Sequence, residues 1–193
     1  YTMNKIAVFF FFLSSNAQKI IEYFNNSQLA SIALIVSNKP EAGVVTIAEK
    51  NTIPTLIIEK EKFLIGSGYA DDLKKEGIDL IVLAGFLWKI PALLIKTFPG
   101  KIINIHPALL PKYGGKGMYG FHVHQAVIDN KEKESGITIH YVDEQYDHGQ
   151  PIFQATCPVF ENDTAFSLAK RVQQLEHEHY PKVIEEILFN NSK

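Results

Sequence analysis

An asparagine and a histidine stand two residues apart in an apolar run, Ile102-Ile103-Asn104-Ile105-His106. If the run is a strand, alternation puts Asn104 and His106 on one face and Ile103 and Ile105 on the other. Polar groups on an otherwise apolar strand need partners or a cavity. A hydrogen-bonded core pair is one reading of the motif. A site at the strand end is the other, and Pro107 favours it, because proline has no N–H with which to extend a ladder. Asp147 is the third candidate, in Asp143-Glu144-Gln145-Tyr146-Asp147-His148-Gly149. Asp143 and Glu144 read as a solvated turn, whereas Asp147 is expected to face His106. A carboxylate there would stabilise imidazolium and raise the histidine pKa. Such a histidine suits a general acid or an oxyanion stabiliser near neutral pH. An asparagine donor beside it would bind a carbonyl oxygen that becomes negative during acyl transfer. No serine or cysteine stands in a nucleophile-elbow setting, so the attacking group is expected to belong to a substrate. No metal is expected: His122 and His124 point to different helix faces, as do His177 and His179, and Cys157 alone cannot build a thiolate zinc site.

Positioning these groups requires strands that end where they stand. Apolar runs predict strands at Ile6–Leu13, Ile32–Ser37, Thr55–Ile58, Leu80–Ala84 and Ile102–Ile105. Helices are predicted between them at Ala17–Phe24, Gly43–Lys50, Tyr69–Lys75 and Ala92–Phe98. This rhythm implies an α/β fold, a doubly wound, Rossmann-like, mainly parallel sheet. Ligands then bind beyond the carboxyl ends of the strands, which here carry Ser14-Ser15-Asn16, Gly85-Phe86-Leu87 and Asn104-Ile105-His106. A long loop, Pro107 to Gly120, holds four glycines and two prolines and reads as functional. A helix at His122–Asn130 follows, then two strands, Gly136–Val142 and Pro151–Pro158, expected to be antiparallel. A long C-terminal helix is expected to start near Asp163-Thr164, with Pro181 kinking or restarting it. The opening Met3-Asn4-Lys5, Ile6–Leu13 and Ser14-Ser15-Asn16-Ala17 imitates a secretory signal. It is too short to span a membrane, and a buried first strand is the preferred reading. Tyr1 and Thr2 precede Met3 and are set aside.

The chain has 193 residues, is 46% hydrophobic and 21% charged, and carries a formal net charge of −2. That composition excludes disorder and coiled coil as whole-chain descriptions and fits one domain over residues 1–193. Only Arg171 among the 19 basic residues is an arginine. With a pI near 6.4, neither nucleic acid nor a membrane surface is an expected partner. The lone cysteine suits a reducing, cytoplasmic setting.

The run Asn104-Ile-His-Pro-Ala-Leu-Leu-Pro-Lys-Tyr113 resembles the signature of the phosphoribosylglycinamide formyltransferase family, folate-dependent enzymes of purine synthesis. Leu83-Ala-Gly-Phe86, Ser135-Gly-Ile-Thr138, Asp147 with Gly149, and Arg171-Val-Gln-Gln-Leu-Glu-His177 agree with it, in order along nearly the whole chain. The resemblance implies a formyltransferase fold and a triad of Asn104, His106 and Asp147. The co-substrate would be 10-formyltetrahydrofolate, without a metal, and the acceptor glycinamide ribonucleotide, acted on by a monomer or weak homodimer. The pterin would lie against Leu87-Trp88-Lys89-Ile90, with Lys60 near the folate glutamate tail and Trp88 either packing or walling the site. Ser14, Ser15, Asn16, Gln173 and Glu176 would hold the ribonucleotide. The length leaves no room for the extra C-terminal domain of relatives that formylate initiator tRNA, or for the N-terminal domain of the deformylases.

One patch departs from the family. Relatives carry Gly-x-Gly-Ser-Asn after the first strand, where backbone N–H groups wrap a phosphate. Here the residues are Phe12-Leu13-Ser14-Ser15-Asn16. Weak ribonucleotide binding with folate binding retained is the expectation. The alternatives are formyl transfer to another acceptor, hydrolysis of formyl-folate, or a folate-binding protein that has lost catalysis.

Overall fold

The computed structural model describes residues 3–11, 15–40, 43–65 and 67–191. Seven strands form one sheet: β1 (Asn4–Phe10), β2 (Ala30–Ser37), β3 (Thr55–Ile57), β4 (Leu80–Leu83), β5 (Ile102–His106), β6 (Glu134–Tyr141) and β7 (Pro151–Pro158). Their spatial order is β3-β2-β1-β4-β5-β6-β7. The first five are parallel, and β6 and β7 continue antiparallel. The Rossmann-like order and the change of direction match the expected fold.

Alternation along β1 shows why the sheet is covered on both sides. Ile6, Val8 and Phe10 enter one core; Ala7, Phe9 and Phe11 enter the other. The first core is closed by α1 (Ser15–Phe24), α2 (Gly43–Lys50), α6 (Phe121–Asp129) and α7 (Ala165–Asn191). The second is closed by α3 (Lys60–Ile65), α4 (Ser67–Lys75) and α5 (Ala92–Thr97). On β5, Ile103 and Ile105 join the first core. Asn104 and His106 therefore share the opposite face with Ile102, as the sequence spacing predicts.

Several boundaries differ from expectation. Strand β1 stops at Phe10 rather than Leu13, and Phe12, Leu13 and Ser14 lie outside the described residues. Helix α3 was not anticipated. It is six residues long with one fully buried side chain, Phe63, too short to show a period. Helix α7 runs through Pro181 without a restart. Proline there removes one backbone hydrogen bond, but Tyr180, Val183, Ile184, Ile187 and Leu188 bury the turns around it, and that burial outweighs the loss. The start of α7 is capped as anticipated at Asp163-Thr164. Thr164 Oγ1 accepts from the Ser167 N–H at 3.2 Å and Ser167 Oγ accepts from the Thr164 N–H at 3.0 Å, a reciprocal box. Asp163 instead takes a forked pair of bonds from Arg171, 2.7 and 3.0 Å, which holds its carboxyl well below the usual range.

Gly136 lets β6 approach β7. A Cβ at this position would stand 1.9 Å from the Ala155 carbonyl oxygen and 2.9 Å from Leu109 Cδ2. Gly136→Ala is expected to destabilise the fold by about 1–3 kcal/mol, measured as a lowered midpoint in thermal unfolding followed by circular dichroism.

Candidate active site

A cleft of about 590 Å³ opens beyond the carboxyl ends of β1, β4 and β5. Asn104, His106 and Asp147 line it together. His106 closes β5 and is 4% exposed. Its Nε2 is 2.7 Å from the Tyr113 carbonyl oxygen. A carbonyl only accepts, so Nε2 carries a proton and Nδ1 is the atom free to change state. Nδ1 faces Asp147 Oδ2 at 3.5 Å.

Asp147 is held from several sides. Its backbone is left-handed, φ 52°, and Oδ2 accepts the Gly115 N–H at 3.0 Å. The loop after β5 packs so closely that a Cβ on Gly114 would stand 2.5 Å from Leu110 Cδ2 and 3.2 Å from Asp147 Cβ. Burial pushes the Asp147 carboxyl up, but the neighbouring His140 and His106 rings and the Gly115 N–H outweigh it. The carboxyl sits below its ordinary value.

His106 corrects an expectation. Burial, the largest influence, lowers its pKa; Asp147 and the Tyr113 carbonyl push the other way and lose. The carboxylate raises the histidine as foreseen, but the net direction is down. The imidazole in the empty cleft is thus more easily neutral than a free one.

Asn104 lies opposite His140 in the β5–β6 ladder. His140 Nδ1 is 2.8 Å from the Tyr141 carbonyl oxygen and donates to it. A bare Nε2 accepts from Asn104 Nδ2, 3.2 Å away. An amide nitrogen has two hydrogens, so Asn104 keeps one. His140 Nε2 is also 3.7 Å from Asp147 Oδ1.

The flanking walls are built from other candidates. Leu87, Trp88, Lys89 and Ile90 form one wall after β4, and Ser15, Asn16, Gln173 and Glu176 form another where α1 meets α7. Trp88 both packs and lines. Its ring lies 4.7 Å from Phe11, 5.8 Å from Phe63 and 6.1 Å from Phe86. Glu176 accepts from Asn16 Nδ2 at 3.0 Å, and burial pushes its carboxyl up to about 7. Lys60 is not brought to the cleft: it opens α3 as an exposed residue. Ser14 lies outside the described residues.

Sequence reasoning missed His124 and His140. His124 lines the cleft with Nδ1 buried and without a partner, and burial, aided by His106, takes it down to about 4. The signal for His140 was available only as alternation in Thr138-Ile139-His140, which cannot reveal the strand register opposite Asn104.

Fold and cleft together define a Rossmann-like α/β protein whose polar site sits at the strand tips, on the side where the sheet turns antiparallel. The formyl transferase family profile matches residues 4–184, and the chain belongs to that family. A chloroplastic phosphoribosylglycinamide formyltransferase of Arabidopsis thaliana is 43% identical over 186 residues, 93% of this chain and 64% of the relative. The Vigna unguiculata counterpart is also 43% identical, and the chain covers 60% of it. The chain thus spans less than two thirds of these relatives. The phosphoribosylglycinamide formyltransferase of Bacillus subtilis is 36% identical over 99% of this chain and 98% of its own. Among solved structures, glycinamide ribonucleotide transformylase 1 of Geobacillus kaustophilus superposes with a TM-score of 0.88 at 32% identity, covering 97% of this chain and 100% of that one.

Two outcomes follow from the charges. Asp147→Asn removes the main upward push on His106, so the imidazole pKa should fall further. Proton NMR titration of the ring reads this, and an unchanged or raised value would contradict the pairing. Glu176 has a folded value of about 7 against an ordinary 4.5. A value raised on folding means stability lost as pH climbs from the lower to the higher. Glu176→Gln should match the parent near pH 4 and exceed it by about 3 kcal/mol above pH 7, measured by denaturant unfolding.

Proposed function

We propose that the chain transfers the formyl group of 10-formyltetrahydrofolate to the primary amine of N1-(5-phosphoribosyl)glycinamide, a step of purine biosynthesis. The observation that carries this reading is the meeting of Asn104, His106 and Asp147 in one cleft between two separate walls. The folate would lie along Leu87–Ile90, and the ribonucleotide between Ser15, Asn16, Gln173 and Glu176. Similarity to the full-length Bacillus subtilis enzyme supports both substrates.

The amine attacks the formyl carbon, forming a carbon–nitrogen bond and driving charge onto the carbonyl oxygen. Asn104 has one N–H left after serving His140, and that hydrogen stabilises the oxyanion. His106 rests neutral because burial holds its pKa down. With Nε2–H committed to Tyr113, Nδ1 takes the proton released by the attacking amine, directly or through water. Asp147 Oδ2 at 3.5 Å stabilises the imidazolium that forms. The bond to N10 then breaks and the proton passes to that nitrogen, so tetrahydrofolate leaves. No covalent bond to the protein is made.

Purified protein with both substrates should yield formylated ribonucleotide. His106→Ala and Asn104→Ala should each lower turnover by on the order of a hundredfold or more. Equal rates for parent and His106→Ala would remove His106 from the chemistry. Formate release without the amine would instead make the chain a formyl-folate hydrolase, the reading that the Phe12-Leu13-Ser14 sequence motivates.

A further inference from the structure

The loop after β5 meets the site with backbone groups, and a single turn of it supplies two of them. The Tyr113 carbonyl accepts from His106 Nε2 at 2.7 Å, and two residues on the Gly115 N–H donates to Asp147 Oδ2 at 3.0 Å. Both members of the histidine–aspartate pair are therefore held by one short span, Tyr113-Gly114-Gly115. That span is not relaxed. Tyr113 has φ 57° and Gly115 φ 95°, and a bulky side chain such as tyrosine rarely adopts the left-handed region. A tie outside the turn must keep Tyr113 there.

The phenol of the same residue provides it. Tyr113 Oη donates to Glu132 Oε1 at 2.8 Å, while the Tyr113 side chain packs against the first core. Burial and the Glu132 carboxylate push the phenol up to about 12, so it stays a donor throughout the neutral range. Glu132 is fixed in turn, because its N–H donates to the Val127 carbonyl in the last turn of α6 at 3.3 Å. Lys112 Nζ reaches the same Oε1 at 3.0 Å, but its side chain is 68% exposed, and an exposed ion pair contributes little. Tyr113 and Glu132 stand outside the cleft lining, so their effect on the site passes through the turn.

What the turn decides is which nitrogen of neutral His106 carries the proton. Asp147 Oδ2, 3.5 Å from Nδ1, would draw it to Nδ1, and the Tyr113 carbonyl draws it to Nε2. Only the second arrangement leaves Nδ1 a lone pair. We propose that Tyr113 and Glu132 are positioning residues: the bond between phenol and carboxylate keeps the Tyr113 carbonyl on His106 Nε2, and so keeps Nδ1 bare to receive a proton. The inference rests on the reading above in which Nδ1 takes the proton of the attacking amine. It adds two residues that act through His106 rather than on the reactants.

Nitrogen NMR shifts of the His106 ring report the tautomer without substrate, at about pH 8 where the ring is neutral. The parent should carry the proton on Nε2. Tyr113→Phe, which keeps the ring and removes only the hydroxyl, should show a substantial share of the Nδ1–H form. Its kcat should fall roughly tenfold, with both KM values within about twofold. Glu132→Ala should behave alike. Glu132→Gln, whose amide oxygen still accepts from the phenol, should keep the parent tautomer and most of the rate. Added to Tyr113→Phe, Glu132→Ala should have no further effect. A ring that holds its proton on Nε2 in Tyr113→Phe overturns the proposal. A shifted tautomer with unchanged kcat also overturns it, as does a further loss of rate in the double variant. A tautomer that shifts in Tyr113→Phe, when even the parent forms no formylated product, would overturn the assigned reaction and leave the hold on the tautomer standing.

Discussion

The ladder between β5 and β6 is the constraint on which the site depends. It sets Asn104 against His140 and His106 against Thr138. Directly opposed residues of an antiparallel pair are close enough for their side chains to meet. The ladder is held in register by burial, since Ile103 and Ile105 on β5 and Ile137 and Ile139 on β6 all enter the first core. Each such side chain contributes about 1.5–3 kcal/mol relative to exposure. A slip of one residue would send those isoleucines into the cleft and the polar groups into the core. Thr138 adds a second tie by accepting from the Leu110 N–H at 3.0 Å and donating to the Ala108 carbonyl at 2.7 Å. Strand register and loop path are thus fixed at the same place.

Within the cleft, burial and charge are opposed. Burial moves His106 and His124 toward the neutral ring and Glu176 toward the neutral acid. Asp147 stays on the ionised side, with the Gly115 N–H donating to it and the His140 and His106 rings beside it. The empty site therefore holds one unbalanced carboxylate beside an imidazole that resists charging. A reaction that delivers a proton to Nδ1 removes the imbalance, and no rearrangement of the protein is required. The geometry suits charge that appears during the reaction better than charge that is present at rest.

Much of this was legible in the sequence, and the gaps have physical causes. Alternation in Ile102–His106 gave the correct faces because a strand's period is a local property. The walls at Leu87–Ile90 and at Gln173 and Glu176 were placed by motif. The direction of the His106 pKa was not legible, since it turns on how completely the fold excludes water from the ring. His140 was missed because its meeting with Asn104 spans 36 residues and an antiparallel register. Lys60 was assigned through a loose local match, and it opens α3 as an exposed residue outside the cleft lining. Pro181 shows local propensity yielding to tertiary burial.

Tyr180 ties these parts together at depth. Its hydroxyl, fully buried on α7, donates to the Leu83 carbonyl at the end of β4 at 2.8 Å. One wall of the cleft hangs from α7 and the other grows out of β4, and this bond joins their roots. The spacing of the two walls is consequently a dimension of the protein itself. Two molecules held one on each wall would meet at a separation set before either arrived.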